Sequence, residues 1–153
     1  MRIRIITAGG YNSDFIRDGV DYYLKKVNYF LKTEIIVPKS KINYSSSKEK
    51  IKKEAMLIED CIKDDDYVIL CDVNGNGFDS TELAKKFENV MNAGKDISFV
   101  IGGDEGVDER LKKRADILFS FSKQTFNHEL AVLILMESIY RSFTIIKKYP
   151  YHK

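Results

Sequence analysis

Five short apolar runs punctuate the chain: RIRIITA (2–8), TEIIVP (33–38), DYVILCD (66–72), DISFVIGG (96–103) and ADILFSFS (115–122). Each leads into residues with helical spacing or helix-start chemistry. Strands alternating with helices build a parallel α/β sheet, and this alternation constrains the fold more than any other feature. Residues 13–30 set Phe15, Val20, Tyr23, Leu24 and Val27 near helical spacing. Ser46 with Glu49, and Asp79 with Glu82, predict capping boxes for helices reaching about Lys63 and residue 93. Gly94 stops the second of these. Residues 107–114 read as a short helix, and Asn127 opens a last one running to about Lys148. Between them, VNGNGFDS reads as a turn and the Ser/Lys-rich residues 39–48 as a mobile loop. No repeat or break in composition divides residues 1–153, which predicts a single domain.

Charge is small in sum, +2, but segregated. Residues 64–109 hold twelve acids against three lysines, whereas residues 123–153 hold five Lys/Arg against two Glu and both histidines. A basic C-terminal end points to an anionic partner, and a solvated helix face explains it equally well. Arg4 and the glycines interrupt the N-terminal apolar run, so it lacks the core of a signal peptide, and LAVLILM (130–136) is too short to span a bilayer. The expectation is a cytoplasmic protein without membrane attachment. Cys61 and Cys71 form no metal or redox spacing and read as reduced, largely buried thiols.

In open parallel sheets ligands sit beyond the carboxyl ends of the strands. Three segments qualify, 71–78, 102–106 and 120–127. The second raises a question, because Gly102 and Gly103 are followed at once by Asp104 and Glu105, then Asp108 and Glu109. A dinucleotide fingerprint fails, since Ile101 stands where its first glycine belongs, and no P-loop spacing occurs. Carboxylates beside a phosphate cost Coulomb energy and offer no donor. Two readings remain: a structural glycine turn with solvated helix-start acids, or a turn admitting an uncharged or cationic ligand such as S-adenosylmethionine. The acids lack the spacing of a cation loop, so no metal is expected. No nucleophile elbow occurs, and His128 and His152 have no local triad partner.

Four motifs together, FVIGGDEG, SFSKQTF with His128 two residues on, ESIYRSFTI and the terminal YPYHK, resemble the ribosomal large subunit methyltransferase H family of the SPOUT class. The likeness covers the whole chain. It implies an α/β knot: a parallel sheet with helices on both faces and a C-terminal trefoil knot, in a homodimer. It implies methyl transfer from S-adenosylmethionine to N3 of a pseudouridine in 23S rRNA of the assembled ribosome. By position, the cofactor contacts fall on Cys71, Gly102, Phe121, Ser122, Lys123, Gln124, Thr125 and Phe126. The tail supplies His152 as base or proton relay, Lys153 and Arg141 for anion or phosphate, and Tyr151 to orient the base. Cys71 stands where the family more often has Leu, Asn76 where Lys is common, and Asn127 where Pro precedes the histidine. The rival reading is a non-catalytic RNA- or ribosome-binding module with a vestigial pocket.

Overall fold

The computed structural model describes residues 1–39 and 43–153, so the centre of the expected 39–48 loop, residues 40–42, lies outside the described residues. The strands are β1 (Ile3–Thr7), β2 (Thr33–Ile36), β3 (Tyr67–Gly77), β4 (Ile97–Ile101) and β5 (Ile117–Ser120). The helices are α1 (Asp14–Asn28), α2 (Ser47–Glu59), α3 (Ser80–Asn92), α4 (Glu109–Arg114) and α5 (His128–Ile146). All strand pairs are parallel, in the order β2-β1-β4-β3-β5. Alternate residues face opposite ways. Ile3, Ile5, Ile97 and Phe99 pack under α1, α3 and α5 with Val20, Phe87, Leu135 and Phe143. On the other face Ile6, Val68, Leu70 and Val100 meet Ala55 and Ile58 of α2 and Leu111 of α4. Helices cover both faces, as the alternation requires.

Arg4, an apparent interruption of the first apolar run, closes the amino ends of the strands. Its buried guanidinium donates to Asp66 at 2.7 and 2.9 Å and to Asp96 at 2.8 Å. Ser98 Oγ completes the cluster with a 2.6 Å bond to Asp66. Asp79 and Glu82 form the predicted capping box, and Gly94 takes φ +71° after α3. The other box is displaced: Ser46 accepts from Glu49 N at 3.2 Å, but the Glu49 carboxylate reaches Ser45 N instead, at 2.7 Å. α2 also ends at Glu59, short of Lys63.

A further expectation fails. VNGNGFDS does not turn at once; β3 continues to Gly77 after a register break between Cys71 and Asn76. Gly75 makes this possible, because a Cβ there would lie 2.6 Å from the Leu118 carbonyl carbon. Among the described residues, no helix is long and apolar enough to cross a membrane.

Candidate active site

The register brings Thr7, Cys71 and Ile101 level, with Phe119 beside Cys71, so the segments leaving β3, β4 and β5 converge at one edge of the sheet. They wall a single cavity of about 730 Å³, lined by residues 71–74, 101–107, 119–122 and 124–128. That is the range of small-molecule sites. Of the eight residues predicted to hold a cofactor, Cys71, Gly102, Phe121, Ser122, Gln124, Thr125 and Phe126 line it; Lys123 does not. Burial pushes the Cys71 thiol up to about 12, so it is an apolar wall and no nucleophile.

The glycines let the turn after β4 pack closely. A Cβ on Gly102 would sit 2.5 Å from Val107 Cγ2, and one on Gly103 would sit 2.6 Å from Glu54 Oε2. Gly106, at φ +107°, closes the turn by donating its N–H to the Gly103 carbonyl at 3.2 Å. A side chain at Gly102 would therefore press on Val107 and displace the loop.

The acids divide. Asp108 caps α4 through Arg110 N at 2.9 Å and Glu109 pairs with Lys112 at 3.2 Å, as helix-start charges do. Asp104 and Glu105 are not at a helix start. Asp104 meets His128 Nδ1 at 2.7 Å, and Glu105 meets Lys50 of α2 at 3.5 Å. Lys112 also lies 3.6 Å from Asp72 on the cavity wall.

The loop before α5 is folded by its own hydroxyls. Ser120 Oγ donates to Ser122 O at 2.7 Å, and Ser122 Oγ accepts from Gln124 N at 2.9 Å. Asn127 caps α5 by accepting from Glu129 N at 2.8 Å, the task that falls to it in place of Pro. Phe121 packs edge-on to Phe119 with ring centres 5.1 Å apart.

The predicted catalytic residues form a second group. Tyr151 donates its hydroxyl to Glu137 at 3.0 Å, packs against Tyr140 at 4.8 Å and lies under Arg141 at 4.8 Å. Burial, with bonds to Tyr23 and Glu137, holds the Tyr151 proton tightly. Arg141 Nε donates to Glu137 at 3.0 Å and its Nη1 lies 3.5 Å from His152 Nδ1. His152 and Lys153 are exposed. None of these four lines the large cavity; Arg141 lines a smaller one of about 130 Å³, which shares Phe119 and Phe121 with it. Sequence reasoning passed over His128 and Asp104 as working parts, and only the fixed place of His128 after TF hinted at them. Among the described residues, no group of three or more His, Cys, Asp and Glu is placed to hold a metal ion.

Comparison with known proteins agrees with this architecture. A family model described as a predicted SPOUT methyltransferase matches residues 1–152. The chain is 41% identical over 152 residues to the ribosomal RNA large subunit methyltransferase H of Pseudothermotoga lettingae, covering 99% of each. It is 43% identical over 159 aligned positions to that of Alkaliphilus oremlandii, covering the whole of both. Among solved structures, a probable methylase family protein from Haemophilus influenzae Rd KW20 aligns with TM-score 0.55 at 13% identity, over 99% of this chain and 70% of that one, a likeness of fold alone. Full-length relatives at this identity leave one assignment: the chain belongs to the ribosomal RNA large subunit methyltransferase H family of SPOUT methyltransferases.

Proposed function

We propose that residues 1–153 form one SPOUT domain that methylates N3 of a pseudouridine in 23S rRNA of the assembled ribosome. On this reading it works in the cytoplasm as a homodimer, with S-adenosylmethionine as methyl donor. The observation that carries the reading is the cavity at the strand ends and its lining. Ile101, Phe121 and Phe126 give apolar contact, and Asp72, Asp104 and Glu105 stand on the wall. Its one lysine, Lys112, is engaged with Asp72 and Glu109. Such a lining suits a phosphate-free ligand carrying positive charge, and S-adenosylmethionine fits it. When bound it supplies an electrophilic methyl group. The C-terminal trefoil knot that the family resemblance implies belongs to the same reading.

The tail residues would hold the uracil-type ring and manage its charge. N3 of that ring must lose a proton, leaving negative charge on the imide. Arg141 only donates, so His152 Nδ1 beside it accepts, and a neutral ring then carries its proton on Nε2. In that arrangement the outward nitrogen of His152 is a donor. His152, Arg141 and Lys153 together then favour stabilising the imidate, and His152 serves as a base only after leaving Arg141. Because the tail does not line its own chain's cavity, a second copy is the natural source of one half of the site. Exposed Phe15, Tyr22, Phe126 and Leu130 offer apolar surface for it.

The test is tritium transfer from labelled S-adenosylmethionine to whole ribosomes, separated subunits and naked rRNA. Label on N3 of a pseudouridine in whole ribosomes is expected. Cofactor binding without transfer to any of the three would favour the non-catalytic module instead.

A further inference from the structure

His128 sits between two groups that only accept hydrogen bonds. Its Nδ1 lies 2.7 Å from Asp104 Oδ1, in the turn after β4, and its Nε2 lies 3.1 Å from the Gly10 carbonyl, in the loop after β1. A neutral imidazole has one N–H and can serve only one of them; the imidazolium serves both. We propose that His128 is a positioning residue for the cofactor cavity, held as an imidazolium that ties these two loops to the start of α5. The proposal rests on the reading of the cavity given above.

Its surroundings agree. The ring lies against Gly9, where a Cβ would come 3.1 Å from Nε2. The next residue, Glu129, accepts from Asn12 N at 3.1 Å and Ser13 N at 3.2 Å, so consecutive residues of α5 hold the same loop. Four carboxylates face the ring or its partners: Asp104, Glu105, Glu129 and Glu54 of α2. Lys50, also of α2, is the cation among them. Burial pushes the Glu54 carboxyl up, while Lys50 and His128 oppose that rise. His128, Gly103 and Asp104 all line the cavity, so loosening the clasp loosens the cavity wall.

The sign follows from the geometry. The clasp needs the charged ring, so it is complete at low pH and lost as pH rises. Asp104→Asn changes this, because its amide can donate to Nδ1 and so satisfy the neutral ring that donates through Nε2.

Nitrogen chemical shifts of the ring, from about pH 5 to about pH 8 where imidazole titrates, read the state directly. Amide exchange of residues 10–13 and 103–106 reads loop order without ligand, and calorimetry reads S-adenosylmethionine affinity. In the unsubstituted protein, loss of the ring proton is expected to accompany faster exchange in both loops and an affinity loss of about tenfold, the scale of a charged hydrogen bond. In Asp104→Asn the ring is neutral and exchange and affinity are flat with pH. A neutral ring throughout the window in the unsubstituted protein overturns the proposal, as does an equal pH dependence in Asp104→Asn. If S-adenosylmethionine does not bind at any pH, the reading of the cavity fails, while ring shifts and exchange still decide the clasp.

Discussion

Truncation by two residues separates chemistry from folding at the tail. His152 and Lys153 are exposed, and the His152 ring approaches Arg141 at 3.5 Å. Their removal should change stability by no more than about 0.5 kcal/mol, as for surface groups. Neither lines the cavity, so cofactor affinity should hold within about twofold. Methylation of ribosomes should fall by roughly 10²–10⁴, the scale for losing an acid–base or charge-stabilising group. Removing residues 149–153 is a poorer test, because Tyr151 is docked: it packs on Tyr140, lies under Arg141 and bonds Glu137, while Tyr149 meets Phe30 at 5.6 Å. Aromatic pairs and charged hydrogen bonds contribute about 1–2 kcal/mol each, so that deletion should cost about 3 kcal/mol. Urea unfolding, calorimetry and tritium transfer on both truncations separate the effects. If Lys153→Ala is more damaging than His152→Ala, charge stabilisation is the better account of the tail. Near-normal methylation by a folded chain ending at Tyr151 refutes the reasoning and moves the chemistry to Arg141.

Gly102→Ala should weaken S-adenosylmethionine binding by displacing the loop, and adding Val107→Ala should restore most of it; no rescue would mean that the side chain itself enters the cavity. Arg4→Met leaves Asp66 buried without its cation and should cost about 3–5 kcal/mol in urea unfolding, and a loss below about 1 kcal/mol contradicts the cluster's importance. Burial alone would raise Asp96, yet the Arg2 amide and Arg4 guanidinium hold it below the ordinary carboxylate range. Its contribution is therefore present above that range and lost as pH falls through the lowered value, and Arg4→Met should flatten this part of the acid profile in urea midpoints. Mixing a chain that lacks residues 152–153 with a Gly102→Val chain should restore methylation if a tail serves its partner's cavity; no restoration means each tail serves its own.

The order of elements was legible because each strand carries an unbroken apolar middle and each helix a local stop or start. Asp79 with Glu82, Gly94 and Asn127 act through neighbours within a few residues, so their chemistry shows in a short window. β3 was misjudged for the opposite reason. Asn74 and Gly75 look like turn residues, and only the Leu118 backbone passing under Gly75 explains why an extended chain needs a glycine there. Arg4 was hidden likewise: its partners Asp66 and Asp96 lie far along the chain, and parallel pairing alone brings them to one end of the sheet. The cavity residues were legible by strand-end position and by family resemblance. Lys123 is the exception, since a loop shaped by Ser120 and Ser122 leaves its side chain outside.

The acids after Gly103 now bear on both ligands. Lys50 faces Glu105, Lys112 faces Asp72 and Glu109, and the His128 ring faces Asp104. A phosphate arriving there would have to break one of these pairs and then sit among the released carboxylates, which Coulomb repulsion disfavours. A sulfonium with an ammonium group meets no such cost. The other group of residues has the reverse balance: Glu137 is satisfied by Arg141 and Tyr151, while His152 and Lys153 project into solvent. RNA carries its charge on phosphates and would be drawn to that end. The two charge fields sit on different parts of one chain, and the proposed reaction brings them face to face. In the proposed homodimer a second copy brings its tail to this cavity, so that the proposed cofactor pocket and the RNA-facing tail meet without sharing charges.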